Sequence, residues 1–182
     1  NNVDHEQEYD KWYTYAEMAE VLIPYLSEMG YTHVEIMPLF EHPMDQSWGY
    51  QATGFFAPTS RYGTCDDLKY FINECHKAGV GVILDFVMVH FATDDYGLKA
   101  FDGGELYELP ESDVTFSEWG SYNFFHAKGE VASFLKSCAD YWLSDYHFDG
   151  LRFDAISNII YWRGRKECGV NEKALEFANV QG

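Results

Sequence analysis

The chain has 182 residues, of which 47% are hydrophobic, so it can bury a core and is not a disordered polypeptide. It carries 30 acidic and 12 basic residues, and this formal net charge of −18 argues against binding to nucleic acid or to anionic membrane surfaces. Aromatic residues make up 18% of the chain, and acidic and aromatic surfaces together suit neutral polyhydroxylated ligands.

The first predicted helix begins at Thr14, which forms a capping box with Glu17, and ends at Gly30. Apolar residues recur along one face of this helix, and we expect that face to be buried. Its members are Met18, Val21, Leu22, Tyr25, Leu26 and Met29. The first strand is predicted at residues 31–39, where Pro38 ends the apolar run.

The second helix is predicted from Thr64 to Gly79, with acidic residues in its first turn. Its apolar face consists of Leu68, Phe71, Ile72 and Cys75. The second strand covers residues 80–89 and is strongly apolar apart from Asp85. Residues 91–129 show no helical period and are rich in Gly, Asp, Ser and aromatic residues, which predicts a long functional loop with solvated acidic side chains.

The third helix is predicted over residues 130–146, and the third strand over residues 150–154. The apolar face of that helix consists of Val131, Phe134, Leu135, Cys138 and Trp142. A fourth, weaker helix begins near Asn171. Helices and strands thus alternate, which is the order of parallel βαβ units. The predicted fold class is α/β, either an open doubly wound sheet or part of a (β/α)8 barrel, which needs about eight strands to close.

The cysteines at positions 65, 75, 138 and 168 have no CxxC or zinc spacing, so we expect reduced, structural thiols. No apolar stretch approaches the roughly 18 residues of a membrane-spanning helix, and residues 1–11 lack the hydrophobic region of a signal peptide. These features favour a cytoplasmic protein that does not contact a membrane. The chain does not begin with Met, which favours a segment of a longer polypeptide.

Polar residues gather where the three predicted strands end, which is where both architectures place an active site. They are Glu41, His42, Asp45, Trp48, Tyr50 and Gln51 after the first strand, Asp85 and His90 at the second, and Arg152 and Asp154 at the third. Taken singly, each has a structural explanation, such as a turn cap, a buried histidine or an ion pair. Arg152 and Asp154 are two residues apart, so they point to the same side of their strand. The convergence of all these groups at one rim predicts a functional site.

Two segments of the chain resemble conserved regions of the α-amylase superfamily of glycoside hydrolases. Asp85-Phe-Val-Met-Val-His90 is similar to the first region, Asp-x-Val-x-x-His, and Gly150-Leu-Arg-Phe-Asp-Ala155 is similar to the second. Ser47-Trp-Gly-Tyr-Gln51, the segment 54–63 and Glu41-His42-Pro43 narrow the resemblance to 1,4-α-glucan (glycogen) branching enzymes. The combined motifs cover essentially the whole chain.

The resemblance implies a (β/α)8 barrel in which the three predicted strands are the second, third and fourth, so residues 1–182 form part of one catalytic domain. It implies a retaining double displacement that cleaves α-1,4-glucan and transfers the chain to a 6-hydroxyl, without a metal or an organic cofactor. The motif positions match Asp154 to the nucleophile, Arg152, Asp85 and His90 to its supporting groups, and Tyr50, Trp48 and Gln51 to substrate contacts. No residue of the chain matches the general acid of the family.

Three alternatives remain open at this point. A hydrolase of the same superfamily, either an amylase or a trehalose-releasing enzyme, creates reducing ends, whereas branching conserves them. A non-catalytic module binds glucan through the aromatic loop alone, and a receiver-like signalling domain needs a Lys and a Ser or Thr at later strand ends. Because the chain lacks a general acid and leaves sheet edges open, we expect it to be inactive in isolation and to self-associate.

Overall fold

The computed structural model describes residues 12–110 and 113–161 of the chain. Three longer helices alternate with three parallel strands, and shorter strands lie in the connecting loops. The elements in chain order are α1 (Tyr15–Met29), β1 (His33–Ile36), β2 (Phe40–Glu41), β3 (Gly54–Pro58), α2 (Cys65–Lys77), β4 (Gly81–Phe86), β5 (His90–Phe91), β6 (Tyr122–Asn123), α3 (Gly129–Ser144), β7 (Gly150–Phe153) and α4 (Ser157–Ile160). The predicted helix near Asn171 and the thiol of Cys168 lie outside the described residues.

The central sheet has the strand order β1-β4-β7, and both pairings are parallel. Helices α2 and α3 provide the connections between these strands, which confirms the predicted βαβ units. Two small antiparallel pairs, β2 with β3 and β5 with β6, extend from the carboxyl ends of β1 and β4. No helix within residues 12–110 and 113–161 is long and apolar enough to span a bilayer.

The predicted strands at residues 31–39 and 80–89 are longer than the observed ones. Strand β1 ends at Ile36 and β4 ends at Phe86, although the apolar sequence continues beyond both. Val87 and Val89 are buried without belonging to the sheet: Val87 is part of the hydrophobic core, and the carbonyl oxygen of Val89 accepts a hydrogen bond from the N–H of Phe124. Apolar sequence therefore reports burial here rather than strand pairing.

Helix caps and two of the three helical faces agree with the sequence analysis. Thr14 and Thr64 each form a complete capping box, and the second of these lowers the pKa of Asp67 through hydrogen bonds from the backbone and hydroxyl of Thr64. Gly30 ends α1 with a φ of 72°, a left-handed conformation that favours glycine. All four residues of the predicted α2 face are buried, and α3 buries Val131, Leu135, Cys138 and Trp142.

The predicted buried face of α1 is partly wrong. Leu26 is buried, but Val21, Tyr25 and Met29 are exposed in the part of the chain that the structure describes. The helix instead buries Tyr15 and Ala19 together with Leu26, and it packs against α2. Apolar residues occupy more than one side of α1, so the helical period alone does not decide which side faces the neighbouring helix.

The loop at residues 91–129 is more ordered than its composition predicts. Besides β5 and β6 it contains a bridge between Glu108 and Phe124 and another between Phe116 and Tyr122. The prediction that its acidic side chains are solvated is wrong for Glu108, which is only 4% exposed. Its carboxylate accepts hydrogen bonds from the backbone N–H groups of Ala100 and Tyr107, which compensate for its burial.

An aromatic core lies between the sheet and α3, with Trp142 at its centre. The indole ring of Trp142 is fully buried and contacts the rings of Phe40, Tyr146 and Phe148, with centroid distances of 5.3, 5.0 and 5.9 Å. Its Nε1 donates a hydrogen bond of 2.8 Å to the carbonyl oxygen of Phe55 on β3. This contact fixes the loop between β1 and α2 against α3.

Replacing Trp142 by Phe removes the donor to the Phe55 carbonyl and leaves unfilled space. We expect the free energy of unfolding to fall by about 2–4 kcal/mol, measured by urea denaturation. Leu143→Ala, which changes the next residue on the more exposed side of α3, is the matched control and should lose less than about 1 kcal/mol. Equal losses in the two variants would contradict the central position of Trp142.

Candidate active site

The register of the sheet brings the first polar pair of the site together. Asp85 on β4 and Arg152 on β7 are direct partners across the parallel strands, so their side chains leave the same face of the sheet. The Nη1 atom of Arg152 donates to both carboxylate oxygens of Asp85, at 2.9 and 2.8 Å. The same atom donates to Oδ1 of Asp154 at 2.8 Å, so one guanidinium joins two carboxylates.

The three side chains of this bridge differ strongly in burial. Asp85 is 2% exposed, whereas the Arg152 and Asp154 side chains are 40% and 27% exposed. The hydrogen bonds from Arg152 to Asp85, together with the charges of both carboxylates, hold the pKa of Arg152 above its usual range. Asp85 is therefore the buried support of the bridge, and Asp154 is its accessible end.

Tyr50 supplies a second donor to the buried carboxylate. Its hydroxyl donates to Oδ2 of Asp85 at 2.5 Å, and burial together with this bond raises the pKa of Tyr50 to about 12. The phenol therefore stays protonated at neutral pH. The loop that carries Tyr50 passes close to the segment just after β1 at Gly49, where a Cβ atom would lie 2.2 Å from the carbonyl oxygen of Pro38.

His90 lies beneath Tyr50 and is almost completely buried. Its Nε2 donates to the carbonyl oxygen of Tyr50 at 3.0 Å, and burial lowers the pKa of the imidazole. His90 is therefore neutral at neutral pH, and its Nδ1 has no hydrogen-bond partner among the described residues. The imidazole packs against the indole of Trp119, with ring centroids 5.4 Å apart.

Two predicted substrate contacts lie to the sides of this cluster. Trp48 is 67% exposed and lines a cavity of about 340 Å³ together with Trp12, Glu35 and Tyr62. Gln51 instead donates from Nε2 to the hydroxyl of Ser121, at 3.1 Å. The structure thus brings together five of the seven predicted site residues and places Trp48 and Gln51 at the edges of the cluster.

The polar residues directly after β1 form structural contacts. Glu41 accepts hydrogen bonds from Ser60 and Arg61, and Arg61 also donates to Asp45 at 2.5 Å. Burial opposes ionisation of Glu41, but hydrogen bonds from Ser60, His42 and Thr59 lower its pKa. His42 is buried and donates from Nδ1 to the carbonyl oxygen of Phe40 at 2.8 Å. These residues anchor the loop that carries Tyr50.

Two residues near the site were not identified from the sequence. Glu35 lies inside β1, and its carboxylate is 4.0 Å from Nε of Arg152. The sequence signal for Glu35 is a carboxylate between the apolar residues Val34 and Ile36. Trp119 lies in the long loop, which has no helical or strand period, so the sequence pattern does not predict its contact with His90. Over residues 12–110 and 113–161, no group of three or more His, Cys, Asp or Glu side chains is arranged to hold a metal ion.

Known proteins of similar sequence identify what this chain resembles. Residues 20–105 match the family described as the alpha amylase catalytic domain. The chain is 54% identical over 151 residues to the 1,4-alpha-glucan branching enzyme GlgB of Nitrosospira multiformis, and this alignment covers 82% of the chain and 20% of the relative. It is 51% identical over 168 residues to the GlgB branching enzyme of Bacillus caldolyticus, covering 92% of the chain and 25% of the relative.

A solved structure shares the fold. The crystal structure assigned as an alpha amylase from Salmonella typhimurium superposes with a TM-score of 0.69 at 31% sequence identity, covering 91% of this chain and 26% of that one. The predicted fold class, a segment of a (β/α)8 barrel, is confirmed. The chain spans about a quarter of the length of the curated relatives it matches.

His90 and His126 predict a pH-dependent stability. His90 is buried, and His126 is half-buried with its Nε2 donating to the carbonyl oxygen of Met88. Burial lowers both pKa values below the ordinary 6.5, so the unfolded chain binds protons first as the pH falls. We expect the free energy of unfolding to be level above about pH 7 and to decline below about pH 6.5. The double variant His90→Gln, His126→Gln should flatten this decline, as measured by denaturation at each pH.

His33→Gln is the matched control for this experiment, because His33 is exposed on β1. In the control, the free energy of unfolding should show the full decline between about pH 6.5 and pH 5. If the double variant showed the same decline in the free energy of unfolding, the imidazoles of His90 and His126 would not be its source.

Proposed function

This chain belongs to the alpha-amylase family, and on that premise we propose that it supplies the nucleophile and its supporting groups to a 1,4-α-glucan branching enzyme. The observation that carries the proposal is the guanidinium of Arg152, which joins the buried Asp85 to the accessible Asp154. The names and the high identity of the branching-enzyme relatives favour this reaction over others of the family. The substrate is then an α-1,4-glucan such as glycogen or amylose.

In the proposed reaction, Asp154 attacks the anomeric carbon of an α-1,4-linked glucosyl residue and forms a glycosyl-enzyme intermediate. The departing 4-oxygen takes a proton from a general acid, a role that no motif position of this chain fills. The 6-hydroxyl of another glucan chain then attacks the anomeric carbon and gives its proton back to that group. Asp154 is released, and an α-1,6 branch forms with the original configuration.

The contacts of the site support these roles. Arg152 donates to Oδ1 of Asp154 and places a positive charge beside it, so the carboxylate is held in one orientation. Asp85 holds Arg152 in place, and the bond to Asp85 fixes the ring of Tyr50 as a platform for the sugar. The neutral His90 contacts hydroxyls of the same sugar, and Trp48 and Gln51 contact the glucan further away. We place this reaction in the cytoplasm and assign it no metal or organic cofactor.

A hydrolase of the same family is the second candidate, favoured by the similarity to the alpha amylase from Salmonella typhimurium. Water then replaces the 6-hydroxyl in the second step, and the groups around Asp154 keep their roles. A non-catalytic glucan-binding module has no use for a bridged, accessible carboxylate, so the geometry disfavours it.

Asp154→Asn in the whole protein that carries this chain tests the proposal directly. The amide is a poor nucleophile, so we expect activity on linear amylose to fall by about three orders of magnitude or more. Both α-1,6 linkages and reducing ends are to be followed in the same reaction. Asp95→Asn is the matched control and should leave activity unchanged, because Asp95 is a highly exposed loop residue that pairs with Lys99.

The products separate the candidate reactions. Branches without new reducing ends, lost in Asp154→Asn, support the branching reaction and the assignment of the nucleophile. New reducing ends without branches identify a hydrolase. Activity that persists in Asp154→Asn contradicts the alignment of the motif itself.

The 182-residue chain by itself should show neither transfer nor hydrolysis of glucan, because it contains no residue matched to the general acid. We also expect the isolated chain to self-associate, since β1 and β7 each have one edge that is unpaired within the described residues. Activity assays on amylose and sedimentation velocity measure the two properties. Turnover that disappears in Asp154→Asn, or a well-behaved monomer, would contradict the corresponding expectation.

A further inference from the structure

A second cleft lies beside the site and is lined by Gln51, the neighbour of Tyr50, and by Trp119, which contacts His90. It has a volume of about 480 Å³ and opens between the loop that follows β1 and the loop that precedes β6. Its walls carry an indole, amides and carboxylates, contributed by Trp119, Gln46, Gln51, Asp45 and Asp94. The proposed reaction assigns a role to only one of these residues, Gln51.

The indole of Trp119 is held in an exposed position by a rigid turn. Trp119 is 50% exposed, although an indole in water loses the hydrophobic stabilisation that burial provides. The turn beneath it is closed by buried serines, with the hydroxyls of Ser117 and Ser121 2.9 Å apart and the N–H of Ser121 bonded to Ser117. Gly120 takes a φ of 78°, which lets the chain reverse at this point. The exposed ring is thus preorganised rather than a loose surface side chain.

Two contacts join this turn to the proposed catalytic site. Gln51 donates to Ser121 and lies next to Tyr50, whose hydroxyl binds Asp85. Trp119 itself packs on His90, whose Nε2 binds the Tyr50 carbonyl. Gln51, which lines the second cleft, is therefore the chain neighbour of Tyr50, and Trp119, which also lines it, contacts His90.

The chemistry of the cleft fits one kind of ligand. A pyranose ring has apolar C–H faces that pack on the electron-rich face of an indole, and hydroxyls around its edge. Carboxylates and amides accept and donate hydrogen bonds to such hydroxyls. The carboxylates of Asp45 and Asp94 disfavour phosphorylated or other anionic ligands.

From this geometry we propose that the cleft is a further glucan subsite, in which Trp119 is the platform for a glucosyl residue adjacent to those held at the reacting bond. The proposal deepens the proposed function and rests on it. Trp119 determines affinity for longer glucans and has no part in the chemical step. A glucan too short to reach from Asp154 into the cleft does not contact Trp119, so its binding affinity does not depend on that residue.

The test uses the whole protein with Asp154→Asn as an inactive background and maltoheptaose as the probe, with binding measured by calorimetry. Trp119→Ala should weaken binding about tenfold, which corresponds to the loss of about 1.4 kcal/mol. Trp119→Phe keeps an aromatic ring and should retain most of the affinity. Phe116→Ala is the matched control, since Phe116 is 55% exposed on the same loop and does not line the cleft.

Maltose is the second probe, because it is too short to span both positions, and its affinity should be the same in all variants. In the enzyme with Asp154 intact, Trp119→Ala should raise KM for amylose and leave kcat within about twofold. If maltoheptaose binds Trp119→Ala as tightly as Phe116→Ala, the subsite is overturned while the proposed function stands. If the Phe116→Ala control binds no glucan at all, the proposed function fails, and the subsite fails with it.

Discussion

A carboxylate buried at the end of the central sheet sets the main constraint on this molecule. Asp85 is 2% exposed, and a buried carboxylate without partners destabilises a fold by several kcal/mol. Its oxygens are satisfied by two bonds from Arg152 and one from the hydroxyl of Tyr50. The register of β4 against β7 and the path of the loop that carries Tyr50 must therefore be kept for the fold to remain stable. The same contacts place Asp154 beside a charged donor, so stability and the proposed chemistry depend on one cluster.

The loops around this cluster are held by polar side chains in addition to the short β2–β3 and β5–β6 pairs. Glu41 and Arg61 anchor the loop after β1, and Ser117 and Ser121 close the turn before β6. Gln51 connects the two loops through its bond to Ser121. Aromatic rings can remain exposed on such loops because buried hydrogen bonds fix the backbone beneath them. Both the proposed catalytic site and the neighbouring cleft use rings of this kind.

Much of the fold follows from local patterns. The structure confirms the capping boxes at Thr14 and Thr64 and the apolar faces of α2 and α3. Each of these patterns depends on residues that are only a few positions apart in the chain. The face of α1 was assigned wrongly at Val21, Tyr25 and Met29, where apolar residues lie on more than one side of the helix. Here the choice of the buried side depends on the position of α2.

The sequence by itself determined the alternation of helices and strands, the motif residues at the strand ends, and the placement of Arg152 and Asp154 on the same side of the chain where β7 ends. These features depend on spacings of a few residues, because the backbone geometry of a helix or strand sets the direction in which each side chain points. Only the tertiary structure decided that Glu108 is buried, that Gln51 binds Ser121, and that Trp119 packs on His90. Gln51 and Ser121 are 70 positions apart, and their contact depends on how two irregular loops fold over the sheet, which no local period records.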